Sequence, residues 1–489
     1  MFKFLVGSFL VVCSFLLAES TPYATSLSEL QERVAFDLNS INYPEQAWLP
    51  ELEGVLDVVI VGGGQSGLAA AFSLQKLGIR NVKILDEAPE GFEGPWATYA
   101  RMKVLRSDKY NLGPSCSVPS LTFCSWYHAQ FGAEAWYQLW SIPTHQWMEY
   151  LRWYRKVLDL PIENNVKIVS IVPTGDLLRV ECQQNGLPLS YLARKVVLAT
   201  GRMGFGGAEM PKWLVNVPKT LYAHTVEDIN FSSLAGKRVA VLGAGASAMD
   251  AAAVALEHGA ESVHLLLRAA SIPNVSGFGV VSSNAWLHGH YRLNDEQKWN
   301  ILSFATEHGV PPPPEALQRL KAHSNIHLHA NFNIRAAQVL GDKLQIVANQ
   351  EELSCDYLIL GCGFDIDGSK TPELAGFADE ILLWRDRLDP GLCSECPKLG
   401  RAAYLGPSFE FCERNSGKAP YLKNIYCFNY GALVSHSLAS GDIDGVAIGA
   451  ARLAEGIATD FFVSNMPYFE KQMRDFDEKV FEDEDASFL

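Results

Sequence analysis

The first stretch whose apolar positions read as folded structure is Leu56-Asp57-Val58-Val59-Ile60-Val61. An apolar, β-branched run of this kind suits a strand buried on both faces of a parallel sheet. Gly62 to Gly67 follows, Leu68 to Leu77 has helical composition, and Gly78 closes that helix. Asn81-Val82-Lys83-Ile84-Leu85-Asp86 then reads as a second strand, giving strand, helix and strand within about 30 residues. The order recurs 181 positions later: strand Arg238 to Leu242, turn Gly243 to Ala248, helix Met249 to His258, strand Ser262 to Arg268. Val196-Val197-Leu198-Ala199-Thr200-Gly201 and Tyr357-Leu358-Ile359-Leu360-Gly361-Cys362-Gly363 are two further apolar strands ending in glycine. We read them as exits of the first fold on either side of an inserted domain running from about residue 212 to about 332. Pro311 to Pro314 is a stiff stretch inside that insert. Residues 123–158 are dense in Trp and Tyr, and the spacing from Thr144 to Leu158 predicts a helix. Core packing is the plain reading of these rings, and the wall of a ligand pocket the functional one.

The pattern before residue 56 is of two kinds. Met1 to Lys3 carries one positive charge, Phe4 to Ala18 is mostly apolar, and Ala18-Glu19-Ser20 places small residues where signal peptidase cuts. The apolar run has 15 residues. That suits a signal-peptide core and falls short of the roughly 20 needed to span a bilayer. Cleavage after Ser20 is expected, with export to a periplasm, the outside of the cell or an endoplasmic reticulum lumen, and no stable membrane span afterwards. Cys13 follows Val12 where a lipoprotein site expects a small residue, so it is a poor lipoprotein cysteine. Residues 21–54 read as a polar N-terminal arm. The division is therefore signal 1–20, arm 21–54, first fold 55–211, inserted fold 212–332, and the rest of the first fold with an acidic tail 333–489.

Composition narrows the function. The 489 residues are 48% hydrophobic, enough for a large core, and carry a formal net charge of −15. That excludes nucleic acid as a partner, because phosphate binding needs a basic surface. Self-association into a homo-oligomer is compatible with all of this. Ten cysteines are present, nine after cleavage, and an odd number cannot pair completely within the chain. Cys393 and Cys396 form a CxxC in a Pro- and Gly-rich loop, and no further ligands stand at a spacing that would make it a zinc site.

Chemistry enters with the two glycine turns. Gly62-x-Gly64-x-x-Gly67 lies between a strand and a helix. Gly62 permits the turn, Gly64 lets backbone approach a pyrophosphate, and Gly67 lets the helix close on the strand. The helix start aims N–H groups at the phosphates. Asp86 stands 19 residues after Gly67, at the end of the second strand, where a carboxylate can accept ribose hydroxyls. Gly243-x-Gly245-x-x-Ala248 is the second fingerprint, with Ser247 inside it. Its second strand ends in Arg268 instead of an acid. Arg pairs with a 2′-phosphate that an acid would repel, which argues for NADP(H) over NAD(H). An exposed strand-end Arg is the plain alternative.

The fold class these turns predict is α/β, with two Rossmann-like dinucleotide-binding domains, one inserted in the other. This resembles the two-dinucleotide-binding-domain flavoproteins, whose first fold takes FAD and whose second takes the nicotinamide cofactor. Ala199-Thr200-Gly201 resembles their strand exit, and Gly94-Pro95-Trp96 looks like the Gly-Gly-x-Trp segment of flavin-containing and Baeyer–Villiger monooxygenases. Tyr222-Ala223-His224-Thr225 is similar to their His-Ser/Thr element. Phe428-Asn429-Tyr430-Gly431 and Ser440-Gly441-Asp442-Ile443 look like their flavin-facing end. The chain departs from the fingerprint around His224, with Pro218, Thr220 and Asp228 where that family has Phe, Gly and an aromatic. The resemblance implies FAD at Gly62, Gly64, Gly67, Asp86, Trp96, Thr200, Gly201, Ser440 and Gly441, and NADPH at Gly243, Gly245, Ser247 and Arg268. It implies a monooxygenase that puts one oxygen atom from O2 into a small substrate by way of a flavin hydroperoxide, oxygenating sulfur, nitrogen or a ketone. The cofactor would carry the chemistry, so no catalytic acid or base is assigned. A helix from Asp442 to Leu453 would point its positive end at the reduced flavin. An NADPH-dependent reductase of a disulfide or quinone, and a flavin-binding sensor without turnover, remain as alternatives. The reductase needs a close cysteine pair, and Cys116 and Cys124 stand too far apart for one.

Overall fold

The computed structural model describes residues 23–349 and 351–478, so the predicted signal at 1–20 lies outside the described residues. The arm that follows is folded. Ser26 caps a helix at Leu27–Ser40 by accepting from the Glu29 amide, and Leu30, Val34 and Leu38 are its buried stripe. Their spacing of four puts them on one helix face. Trp48 then donates to the Leu77 carbonyl, fixing the arm to the end of the first fold's helix.

The strands are β1 (Val55–Val61), β2 (Val82–Leu85), β3 (Ile162–Glu163), β4 (Val166–Thr174), β5 (Leu177–Gln184), β6 (Leu187–Leu198), β7 (Gly206–Ala208), β8 (Tyr222–His224) and β9 (Arg238–Leu242). They continue as β10 (Ser262–Leu266), β11 (Ile326–His329), β12 (Ile334–Leu340), β13 (Lys343–Ala348), β14 (Glu351–Cys355), β15 (Tyr357–Leu360), β16 (Phe364–Ile366) and β17 (Ile425–Cys427). The first sheet has the order β3-β2-β1-β6-β5-β4, with β17 also pairing β6. β1, β2, β3, β6 and β17 are parallel where they meet, whereas β4 to β6 form an antiparallel meander. Val58, Val59 and Ile60 are fully buried, as expected for a strand covered on both faces. Helix Gln65–Lys76 packs on this sheet and on the long C-terminal helix Val446–Ser464.

The second sheet is β11-β10-β9-β15-β8, all parallel. This corrects the expected boundary at 332. Tyr357–Leu360 is not an exit of the first fold: it pairs with β9 and β8 in the heart of the second. The strand that rejoins the first sheet is β17. The crossing points are marked by β7 and β16, which pair antiparallel as the chain leaves the first fold and returns to it. The insert thus spans about 209–363. Buried strands of both folds share one apolar composition, and only pairing tells them apart.

Part of the insert also leaves its own fold. Trp299 and Leu302, on helix Asp295–His308, belong to the first fold's core. The aromatic-rich region forms helices Phe123–Gln138, kinked at Gly132, and Thr144–Val157. Trp126, Trp147, Tyr150 and Tyr154 are buried, and the phenols of Tyr150 and Tyr154 donate to the Leu121 and Pro114 carbonyls. Among the described residues no helix is long and apolar enough to cross a membrane.

Candidate functional site

The first glycine turn is shaped by contacts that leave no room for side chains. Gly62 has φ +104°, and a Cβ there would lie 2.5 Å from the Ala199 carbonyl oxygen. A Cβ on Gly67 would lie 1.9 Å from the Gly62 carbonyl oxygen, so only glycine lets the helix close on the strand. Gly64 differs: its nearest neighbour would be the Gly94 Cα at 3.7 Å. It is the N-cap of helix Gln65–Lys76 and supplies no side-chain cap, and with Gly63 it lines a cavity, the setting of an anion site at a helix start.

The carboxyl ends of β1, β6 and β17 meet above this turn. Asn429, just past β17, donates to Thr200 Oγ1 at 3.1 Å and to the Gly204 carbonyl at 3.2 Å. Gly201 beside it has φ +67°. The C-terminal segment docks on the same helix start: Ser66 Oγ donates to the Ser440 carbonyl at 3.0 Å and Gln65 Nε2 to the Gly441 carbonyl at 2.9 Å. Ser440 Oγ in turn donates to the Asn429 carbonyl at 2.8 Å. Residues 374–376 positions apart in the chain are thereby joined at one spot. Trp147, fully buried in the aromatic helices, donates to Gln65 Oε1 at 3.3 Å and closes the site's far side. The expected helix at Asp442 begins only at Val446, so Ser440 and Gly441 present carbonyls and not a helix start.

Asp86 is also placed differently from the expectation. Its Oδ2 accepts from the Gly63 amide at 2.6 Å and its Oδ1 from the Ala88 amide at 2.8 Å, so the carboxylate braces the turn. Burial raises its pKa, against those two amides, which lower it. The residue that sequence reasoning missed is Glu93. It is buried, paired with Arg155 at 2.6 Å and with Asn164 Nδ2 at 2.7 Å, and it lines a cavity of about 500 Å³ beside Gly63 and Gly64. Glu90, Arg152 and Met148 share that wall, a mixture of charge and apolar surface suited to the nucleoside end of a dinucleotide. Only its place immediately before Gly94-Pro95-Trp96 could have signalled it. Trp96 itself is half-buried on the first core.

The second turn repeats the design. Gly243 has φ +129°, and its Cβ would meet the Gly361 carbonyl oxygen at 2.4 Å. Ala248 fits in the third position because the facing residue is Gly361, where an added Cβ would lie 2.5 Å from that of Ala248. Gly245 is an N-cap with open space around it, and Ser247 is exposed on the first turn of helix Ala246–Glu257. Arg268 is exposed two residues past β10 and pairs with no carboxylate among the described residues.

His224 is fully buried at the end of β8, with Nε2 3.0 Å from the Gly363 carbonyl and Nδ1 accepting from the Val226 amide at 3.3 Å. Burial lowers its pKa, and its place is a brace between the two crossings. All nine described cysteines are free. Burial pushes the Cys362 and Cys412 thiols up to about 11, away from the thiolate that disulfide exchange needs. Cys393 and Cys396 are half-buried and unbridged.

Comparisons with known proteins agree with this geometry. A family profile described as pyridine nucleotide-disulphide oxidoreductase matches residues 59–278. The chain is 36% identical over 447 residues to the FAD-dependent urate hydroxylase of Xanthomonas campestris pv. campestris, covering 90% of this chain and 94% of that one. It is 29% identical over 351 residues to the probable indole-3-pyruvate monooxygenase YUCCA9 of Arabidopsis thaliana, covering 67% and 76%. Among solved structures, the reduced ornithine hydroxylase of Pseudomonas aeruginosa aligns with a TM-score of 0.64 at 14% identity, over 83% of this chain and 99% of that one. This last likeness concerns the fold alone.

Proposed function

Because this chain belongs to the family of flavin-dependent monooxygenases that includes the FAD-dependent urate hydroxylase, we propose that its two glycine turns hold FAD and NADPH for insertion of one oxygen atom into a planar nitrogen heterocycle. The protein is an FAD-dependent oxidoreductase of the monooxygenase type, acting on a small molecule and O2. The observation that carries the substrate class is the match over 94% of the urate hydroxylase, which spans both folds and the C-terminal segment.

The residues fit the cofactors. The helix start at Gly64, with no side-chain cap, supports a pyrophosphate there, and the cavity beside Glu93 and Arg152 supports the nucleoside end. To the rest of FAD we assign Thr200, Gly201, Ser440, Gly441 and Trp96, supported by Asn429 bonding Thr200 while Ser440 and Gly441 dock on the helix start through Ser66 and Gln65. Gly243, Gly245 and Ser247 offer the second pyrophosphate the same kind of helix start, and the unpaired Arg268 supports a 2′-phosphate. Bound FAD supplies the redox chemistry, accepting hydride from NADPH and activating O2. The chain's part is to orient and to exclude water. Trp147 and the aromatic helices wall the site on one side, and the segment 437–441 closes it over the helix start.

The apolar run at 4–18 and the small residues before Thr21 support export through a secretory pathway. The family profile's name favours one other reading, a disulfide reductase. Against it, the close pair Cys393 and Cys396 is not among the residues lining the cavity beside Gly63 and Gly64. The test is direct. Purified protein should show a flavin spectrum and consume NADPH and O2 in step when given urate, set beside a panel of sulfides, amines and ketones. NADPH oxidation that requires a disulfide or quinone, with no oxygenated product from any compound, would overturn the proposal.

A further inference from the structure

We propose that Arg319 is a positioning residue that sets the nicotinamide fold against the flavin fold, and with it the geometry of hydride transfer. The inference rests on the two-cofactor reading above. Arg319 lies on helix Pro314–Lys321 of the insert, with its side chain only 8% exposed. Its guanidinium grips Glu257 with two bonds, Nε to Oε1 at 2.9 Å and Nη2 to Oε2 at 3.0 Å. Nη1 reaches Asp250 Oδ1 at 3.3 Å and, across the junction, the Arg101 carbonyl at 3.5 Å.

The first fold answers from its side. Lys103 Nζ lies 3.0 Å from Glu257 Oε1. The Arg101 guanidinium donates to the Thr225 carbonyl and, at 2.8 Å, to the Glu227 carbonyl, and stands over the Phe231 ring at 5.1 Å. Residues 102 and 103 are anchored in turn, because Thr144 donates to the Met102 carbonyl at 2.8 Å and to the Lys103 carbonyl at 3.0 Å. The contacts therefore run in series. Gly94, whose Cα lies 3.7 Å from where a Cβ on Gly64 would stand, begins the segment that runs along the chain to residues 101–103; Arg101 and Lys103 meet Arg319 and Glu257, and Glu257 shares helix Ala246–Glu257 with the second fingerprint. Asp250 and Glu257 are seven residues apart, two turns, so one helix face meets the first fold.

This arrangement fixes orientation better than apolar contact would. A fork of two parallel bonds between Arg and carboxylate has one geometry, and Lys cannot reproduce it. Removing Arg319 takes from Asp250, 3% exposed, its ion pair and leaves Arg106 and Arg101 as the cations acting on it, so the helix face loses the bond that fixes it. Neither residue contacts a fingerprint glycine, so the consequence falls on alignment and not on cofactor binding.

The experiment is anaerobic stopped-flow reduction of the FAD-loaded protein by NADPH. In Arg319→Met the limiting reduction rate should fall about ten- to hundredfold, while the NADPH dissociation constant stays within about twofold. FAD content should stay stoichiometric, and reoxidation by O2 after dithionite reduction should be unchanged. Arg319→Lys should recover part of the rate. Lys103→Met should slow reduction less, and its effect should not add to that of Arg319→Met. If Arg319→Met does not fold, Glu257→Gln carries the same comparison. Wild-type reduction rates in these variants, or parallel losses of rate, NADPH affinity and FAD, overturn the inference. Wild-type protein that binds FAD and is not reduced by NADPH at all overturns the two-cofactor reading instead.

Discussion

Gly64 and Gly67 stand three residues apart in one motif and tolerate a side chain very differently. At Gly64 a Cβ finds its nearest neighbour at 3.7 Å, and at Gly67 at 1.9 Å from a carbonyl oxygen. Gly64→Asp should therefore fold with the melting temperature of FAD-stripped wild type and purify without FAD, since the carboxylate occupies the pyrophosphate's approach. Gly67→Ala should lose stability first, by several °C or outright failure to fold. Stoichiometric FAD in folded Gly64→Asp would show the turn to be structural. Arg268 gives the matching test on the second fold. It is exposed and unpaired, so Arg268→Ala has no stability to lose. A charge-assisted contact to phosphate is worth about 1.5–3 kcal/mol, roughly ten- to a hundredfold in affinity. Titration should show that loss for NADPH and little change for NADH. Equal losses would remove Arg268 from the site.

Elements are held together by polar pairs that no single segment announces. Lys195 on β6 is 2% exposed, over the Phe461 ring, and is paired with Asp460 of the C-terminal helix. That contact ties the second half of the first fold to its sheet. β10 and β11 carry His264, His327 and His329, with His264 Nδ1 3.0 Å from His329 Nε2. Burial, and after it His327 and His329, push the His264 pKa down to about 4. In the unfolded chain an imidazole takes its proton near pH 6.5. The native state thus keeps its full stability above about pH 6.5 and loses it as the pH falls towards 4, where the unfolded chain binds the proton the folded one refuses. Melting temperatures across that range should fall for the wild type and fall less for His264→Asn. Parallel curves would remove the cluster from the acid response.

Across the whole molecule, the insertion and the late return of β17 decide what meets what. Gln65 and Ser66 reach Gly441 and Ser440 across more than three-quarters of the chain. Truncation before residue 437 should therefore abolish FAD retention even though both fingerprints remain, as an absorbance spectrum of the purified product would show. FAD retained by that product would mean the segment only covers the site. Processing belongs to this scale too. If residues 1–20 are removed, Tyr23 survives to stack on His128, ring centroids 3.6 Å apart. Intact mass of exported protein should place the N-terminus at Thr21 or within a few residues of it, and retained Met1 would contradict export by cleavage.

The sequence alone determined both glycine turns, because Gly62, Gly67 and Gly243 answer to local sterics that hold wherever a strand runs into a helix. It determined the aromatic helix at 144–157 by its periodicity. Tertiary structure decided the rest. Tyr357–Leu360 and Ile425–Cys427 are interchangeable as apolar runs, and only strand pairing assigned the first to the insert and the second to the flavin fold. Asp86 stands at the expected strand end, yet its carboxylate turns to the Gly63 amide, a choice set by which donors lie nearest in space. Glu93 lines the cavity and Arg319 spans the junction because partners 62 residues away in each case come within hydrogen-bond reach, and separation along the chain carries no signal of that.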